Sequence, residues 1–161
     1  VSGLETGATW QYSTDAGSNW SSGTGSSFTV SGDGAKSVTV RQTDAAGNTS
    51  SASTALAFTL DTTPPTFDAA PAAGTATAIN ENSGAGQTVY TAAATDAGAI
   101  TYSLKAATDD VASFSINAST GAVTLTGNPD FETKASYSFT VVATDAANNA
   151  SEQAVDRKSV V

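Results

Sequence analysis

Short segments in which large apolar residues alternate with small or polar ones recur along the whole chain. In residues 8–13, for example, Trp10 and Tyr12 occupy alternate positions and share one face. This period of two is typical of strands with one buried face, and the Gly-, Asp- and Asn-containing turns between the segments fit the same interpretation. The pattern therefore predicts an all-β protein. The predicted strands cover residues 8–13, 27–30, 37–41, 54–60, 75–82, 88–94, 100–104, 114–116, 122–125, 137–143 and 153–161.

A proline pair interrupts this series of strands at Pro64 and Pro65. Two adjacent prolines fix φ and remove two backbone donors, so neither a helix nor a central strand is expected to run through them. A semi-rigid linker between two modules is the natural interpretation. We expect a first domain at residues 1–61, a Pro-rich linker at 62–68 and a second domain at 69–161. A surface loop within one larger domain is the alternative.

The amino-acid composition excludes several kinds of functional site and makes some binding partners unfavourable. The 161 residues include no Cys and no His, so disulfides, thiolate metal sites, the usual zinc ligands and a Ser-His-Asp triad are excluded. Fifteen acidic against six basic residues give a formal net charge of −9, which makes nucleic acid and anionic membranes poor partners and cations good ones. No apolar run is long enough for a membrane span. Asp130 and Glu132 lie too close in sequence to flank a scissile glycosidic bond, so we expect no enzyme activity.

The first domain carries a resemblance to a known family. The stretches VSGLETGATWQYSTDAGSNW, VTVRQTDAAGN and LDTTPP resemble the bacterial Ig-like repeats of large secreted surface adhesins, including those with repeats-in-toxin secretion signals. The resemblance implies an Ig-like β-sandwich that is N-terminally incomplete here. It also implies a secreted or cell-surface bacterial protein that acts in cell adhesion and biofilm formation.

The second domain is similar to a cadherin repeat from about residue 79 to residue 155. The stretches INENSGAGQTVYTAAATDAGAITYSL, FSINASTGAVTL, NPDFET and YSFTVVATDAANN follow the cadherin order. The fold class expected is thus two tandem Greek-key β-sandwiches, Ig-like and then cadherin-like. Gly98 stands where the family has a second Asp, which weakens one implied site. The resemblance implies calcium binding at module junctions by acids at five positions, namely Glu81, Asp96, Asp130, Glu132 and Asp145.

Strand order gives an independent prediction about these acids. Loops of a sandwich alternate between its two ends, so counting strands places Asp96 and Asp145 at the end of the second domain that faces the linker. Asp61, the last residue before the linker, is expected to join them, and Asp33 is a further candidate from the first domain. Glu81, Asp130 and Glu132 are expected at the far end of the second domain. The loop of Asp44 and Asn48 is expected at the outer end of the first, where both are further candidate ligands.

Three carboxylates at one junction would repel one another without a cation, and calcium is the hard ion whose flexible oxygen shell suits such loops. Any single acid could instead form only an Asx-turn. Repetition of TDAG at Thr14 and Thr95, and of TDAAGN at Thr43 as TDAANN at Thr144, favours the metal.

These observations predict a calcium-rigidified extender segment whose partners are the neighbouring β-sandwich modules of the same chain. The alternative is a ligand-binding or homophilic cadherin-like module that contacts a glycan, a protein or a second copy of itself as a homodimer.

Overall fold

The computed structural model describes residues 1–68, 76–106 and 110–158. It divides into two compact units, Val1–Thr62 and Thr63–Val161. Strands form nearly all the regular structure, and the helical content of the described residues is a single 3-10 turn at Val111–Ser113. The all-β prediction is therefore confirmed. The identity and limits of the domains at 1–61 and 69–161 remain a prediction.

The first unit holds one antiparallel sheet among its described residues. Its strand order is β2-β1-β3-β4, and the long central strand β3 pairs with β1 on one side and with β4 on the other. The alternating sequences predicted at 8–13, 37–41 and 54–60 supply β1, β3 and β4, while the short β2 was not predicted. The strands are β1 Thr9–Ser13, β2 Ser21–Ser22, β3 Gly34–Thr43 and β4 Leu56–Leu60.

Aromatic rings cover one face of this sheet. Trp10 is only 4% exposed, as expected for a core residue, and its ring lies beside those of Tyr12 and Phe28. Phe28 stacks on Tyr12 with 4.1 Å between ring centroids. The strand predicted at residues 27–30 is wrong, because Phe28 reaches the sheet from an irregular loop whose nearest ladder contact is the isolated bridge between Thr24 and Ser27.

Strand β4 differs from the sequence expectation in its burial. Its alternation placed Leu56, Phe58 and Leu60 on one face, yet Leu56 is 64% exposed and Phe58 is 37% exposed. The reason is that β4 is the edge strand of the four-stranded sheet. The aromatic cluster covers the β1 and β3 part of the face and leaves these two side chains in contact with solvent.

The described residues of the second unit form two three-stranded antiparallel sheets and one short two-stranded ladder. One sheet has the order β6-β10-β9, a second has the order β12-β11-β8, and a two-stranded ladder joins β5 to β7. The strands are β5 Thr66–Phe67, β6 Thr88–Thr91, β7 Ala94–Thr95, β8 Thr101–Leu104, β9 Phe114–Ile116, β10 Ala122–Leu125, β11 Ser136–Thr144 and β12 Ala150–Lys158.

The core of the second unit lies between its two three-stranded sheets. Strand β11 buries every second side chain, and Phe139 and Val141 are fully inaccessible to solvent. Val89 and Val123 face them from the other sheet and are equally inaccessible. This arrangement is a β-sandwich in which the alternation of each strand decides which side chains form the core.

The segment predicted as a weak strand at residues 75–82 is not a strand from Ala76 onward, and Thr75 lies outside the described residues. The Ala76 N–H donates to the carbonyl of Asp156, and the Thr77 N–H donates to the carbonyl of Val89. These residues thus bond first to one sheet and then to the other. A segment that crosses between two sheets forms no continuous ladder with either.

Part of the segment predicted as linker belongs to the second unit. Pro65 is buried, and Thr66–Phe67 directly after it form β5, which pairs with β7. The prolines exclude a strand through themselves, as expected, but a strand begins immediately after them. The final strand β12 covers the predicted 153–158, and residues 159–161 lie outside the described part of the chain.

Candidate metal site in the second unit

Asp145 is the first residue after β11 and is only 6% exposed. Its Oδ1 accepts hydrogen bonds from the backbone N–H groups of Ala147 and Asn149, both at 2.8 Å. Its Oδ2 accepts a further hydrogen bond, also at 2.8 Å, from the side-chain amide of Asn149. The loop between β11 and β12 is therefore an Asx-turn that folds back on a buried carboxylate.

The hydrogen bonds keep this buried carboxylate charged. Burial by itself would raise the pKa of Asp145, but donation from the side chain and backbone of Asn149 and from the backbone of Ala147 outweighs burial and lowers the pKa below its usual value. Asp145 is thus an anion at neutral pH in a site with little solvent.

Asp96 follows β7 directly and is half-buried. Its Oδ2 accepts a hydrogen bond of 2.9 Å from the backbone N–H of Gly98. One carboxylate oxygen of Asp96 lies within 4.8 Å of one of Asp145. The loop after β7 and the loop after β11 therefore bring two acids together at one end of the second unit.

The donor set of this pair fits a hard cation. Both residues supply carboxylate oxygens, which calcium prefers, and neither has the nitrogen or sulfur donors that select zinc. A carboxylate has about four acceptor positions, and the three hydrogen bonds on Asp145 leave one of them open on Oδ2. Two anions this close, one of them buried, also repel each other, and a bound cation would remove that repulsion.

Asp33 and Asp61 lie next to each other in the first unit. Asp33 immediately precedes β3 and Asp61 immediately follows β4, whose ends pair through Gly34 and Leu60. The backbone N–H and the hydroxyl of Thr62 both donate to Oδ1 of Asp33. The structure thus places these two predicted ligands at the end of the first unit where the chain leaves it.

Glu81, Asp130 and Glu132 lie in neighbouring loops at the other end of β11. The backbone N–H of Asn82 donates to the carbonyl of Pro129, so the segments of Glu81 and Asp130 are joined. Both oxygens of Asp130 accept hydrogen bonds from Thr133, which lower the pKa of Asp130. Within the described residues, these three acids do not form a set whose carboxylate oxygens all lie within 4.8 Å of one another.

Asp44 and Asn48 form an exposed turn at the end of β3. The backbone N–H groups of Ala46 and Asn48 donate to Oδ1 of Asp44, and the Asn48 amide donates to Oδ2. The hydrogen bonds from Asn48 hold the pKa of Asp44 below its usual value. The described residues place no pair of further carboxylates within 4.8 Å of Asp44, so its geometry is that of an Asx-turn.

Sequence reasoning missed the role of the asparagines in these turns. The prediction considered only the acids of the repeated TDAG and TDAAGN motifs. In three of the turns, however, Asn follows Asp by four residues. The three pairs are Asp15 with Asn19, Asp44 with Asn48, and Asp145 with Asn149, and in each the backbone and the side-chain amide of Asn both donate to Asp.

Residues 75–158 match the family model of the cadherin domain. No curated protein sequence matches the chain. Within the described residues, no helix has the length and apolar character needed to cross a membrane.

The chain is also similar to solved structures of cadherin domains. The chain is 31% identical to domains 3–6 of the protocadherin gamma B2 extracellular region, with a TM-score of 0.51, over 59% of this chain and 22% of that one. A structure of domains 1–5 of protocadherin gamma B2 is 25% identical over 78% of this chain and 25% of that one, with a TM-score of 0.53. The third cadherin domain of human protocadherin 7, at 23% identity, shares the fold with a TM-score of 0.50 over 60% of this chain and 86% of that one.

This chain spans about a fifth of the first of these structures. Its cadherin match covers more than half of the 161 residues and lies within the second unit, which carries the Asp96 and Asp145 pair. Cadherin domains are non-enzymatic, extracellular adhesion modules that act in tandem and typically bind calcium. The chain belongs to the cadherin domain family.

Proposed function

We propose that this protein is a calcium-binding adhesion segment that works as an extender, a rod-like part of a secreted bacterial surface adhesin. The observation that carries the proposal is the pair of carboxylates of Asp96 and Asp145 at one end of the cadherin domain, with oxygens within 4.8 Å. The resemblance of residues 1–61 to bacterial Ig-like repeats supports the adhesin context. Calcium would supply charge neutralisation and a shared oxygen coordination shell at this end of the domain.

Asp61 is the ligand we propose from the preceding unit. Thr66 in β5 lies five positions further along the chain, a span of at most about 18 Å even when fully extended. Thr66 pairs with Thr95, the residue immediately before Asp96. The path of the chain therefore keeps Asp61 within reach of the acidic end of the second unit, and the two intervening prolines limit the conformations of the connection.

The proposed consequence is a joint whose stiffness depends on calcium. Without the cation, carboxylates from the two sides repel, and with it they share ligation. Extracellular modules of this kind bind calcium with dissociation constants of about 10⁻⁴–10⁻³ M, which suits millimolar calcium outside the cell. Asp33, close to Asp61, is a proposed additional ligand, and Glu81, Asp130 and Glu132 are proposed ligands for the opposite end. Asp44 and Asn48 are proposed ligands for the outer end of the first unit, where the described residues place no two further carboxylates within 4.8 Å of Asp44.

The test is small-angle scattering together with thermal unfolding, each in calcium and in chelator. We expect calcium to reduce the spread of interunit distances and to raise the unfolding midpoint of the second unit. Asp145→Ala should abolish both responses. Glu152→Gln, which removes one negative charge from an exposed ion pair with Lys105, is the matched control and should retain both. An unchanged scattering curve and an unchanged midpoint in the wild type would exclude the proposal.

A second function, homophilic contact, is favoured by the apolar surface of β4. Leu56 and Phe58 are exposed on an edge strand, and exposed apolar edge strands tend to pair with another chain. Sedimentation velocity of the wild type and of Leu56→Lys separates the two functions. A concentration-dependent dimer that the substitution dissolves supports homophilic contact, whereas a monomer at every concentration excludes this role for β4.

A further inference from the structure

The turn of Asp145 contains a second polar side chain, that of Asn149, which contacts the Asp145 carboxylate. Asn149 donates twice to the same carboxylate, from its backbone N–H to Oδ1 and from its side-chain amide to Oδ2. The two donors lie on opposite oxygens, so together they fix the rotation of the carboxylate plane. Ala147 completes the turn by donating its backbone N–H to Oδ1.

These contacts leave Asp145 with one oxygen to offer. Oδ1 accepts two hydrogen bonds and has no remaining lone-pair position, while Oδ2 accepts one and retains one. The carboxylate can therefore meet a cation through Oδ2 alone and in a direction set by the Asn149 amide. Bidentate ligation by Asp145 would compete with the hydrogen bonds that Ala147 and Asn149 donate to Oδ1.

The neighbouring carboxylate is held differently. Asp96 accepts the backbone N–H of Gly98, and the residue four positions after it is Ile100, which has no side-chain donor. Asp96 thus keeps most of its acceptor positions and can adjust to a ligand. The pair combines one fixed carboxylate with one adaptable carboxylate.

We propose that Asn149 is a positioning residue for cation binding, which orients Asp145 so that a single oxygen faces Asp96. The inference rests on the proposed calcium site. The Asn149 side chain then contributes to calcium affinity as well as to the stability of the turn. Residues that orient a metal ligand through a hydrogen bond change metal affinity about 10- to 100-fold when they are removed.

The test compares Asn149→Ala with Asn19→Ala in the full chain. Asn19 makes the same two donations to Asp15 in the first unit, so its removal takes the same two hydrogen bonds from an Asx-turn without touching the acidic pair. Calcium affinity is measured by isothermal titration calorimetry, and the unfolding midpoint is measured in chelator. We expect Asn149→Ala to weaken calcium binding by about tenfold or more, and Asn19→Ala to leave the dissociation constant unchanged.

A purely structural role for Asn149 predicts a different pattern. The midpoint in chelator would fall while the dissociation constant stayed within twofold of the wild-type value, and that result would overturn the inference. Asn149→Leu gives a second measurement if the alanine variant does not fold: it keeps a similar side-chain size, adds no charge and cannot donate, so weakened binding supports positioning and unchanged binding refutes it. Absence of calcium binding in the wild type would instead refute the proposed function itself.

Discussion

Gly121→Ala should destabilise the second unit strongly, because this glycine meets two requirements at once. Its φ of +70° lies in the left-handed region, and a Cβ at this position would lie 2.5 Å from the backbone carbonyl oxygen of Ala92. The same residue accepts a hydrogen bond from the Ala92 N–H. The turn that joins β9 to β10 is therefore pressed against the segment after β6.

The magnitude follows from the two effects. A left-handed conformation costs a residue other than glycine about 1–2 kcal/mol, and insertion of a methyl group against a backbone atom that must shift costs about 1–3 kcal/mol. We expect a loss of about 2–5 kcal/mol in the free energy of unfolding, which corresponds to a midpoint at least about 8 °C lower for a unit of this size.

Substitutions at two other glycines separate the cost of the left-handed backbone from the cost of the steric contact. Gly84 has a φ of +89° but open space around a Cβ, so Gly84→Ala should cost only the backbone part, about 1–2 kcal/mol. Gly127 has neither a positive φ nor an atom within 4 Å, so Gly127→Ala should be close to neutral.

Urea unfolding, monitored by circular dichroism, measures the change in the free energy of unfolding of each glycine variant. Both tryptophans, Trp10 and Trp20, belong to the first unit, so their fluorescence provides an internal control that should not respond. A free energy for Gly121→Ala within about 0.5 kcal/mol of the wild type, the range typical of neutral surface substitutions, would refute the reasoning.

Two further predictions concern the first unit. Trp10→Ala removes a buried ring that packs beside Phe28 and should cost about 3–5 kcal/mol, measured by urea unfolding with Trp20 fluorescence as the probe; a loss below 1 kcal/mol would mean that the ring is not part of the core. Hydrogen bonds from Ser13 and Asn19 lower the pKa of Asp15 from 3.8 to about 2. A carboxylate with a depressed folded-state pKa stabilises the fold above its unfolded pKa, and this contribution disappears as pH falls from about 4 to 2. Urea midpoints of the first unit should thus drop over that interval, and less steeply in Asp15→Asn; equal slopes would contradict the assignment.

The sequence predicted the strands whose alternation carries large side chains, since burial of one face decides their structure. Strand β11, with Tyr137, Phe139 and Val141, is the clearest case. The strand prediction was wrong where tertiary contacts determine the local structure. Phe28 packs on Tyr12 from a loop, and the segment after Ala76 divides its hydrogen bonds between two sheets. Neither outcome is visible in a local period of two.

The candidate site was predictable in part for a similar reason. Counting strands places Asp96 and Asp145 at one end of the second unit because loops of a sandwich alternate between its ends, and the structure brings the two together. The same counting cannot detect that Asn149 fixes the Asp145 carboxylate, since that depends on the geometry of a single turn. The spacing of four residues between Asp and Asn was the available signal.

Calcium titration of metal-free protein by isothermal titration calorimetry tests the central claim, that Asp96 and Asp145 form a cation site, most directly. We expect saturable binding by the wild type with a dissociation constant of about 10⁻⁴–10⁻³ M, a marked loss in Asp96→Asn, and wild-type binding in the charge-matched control Glu152→Gln. Absence of calcium binding by the wild type, or equal binding by Asp96→Asn and the wild type, would contradict the account.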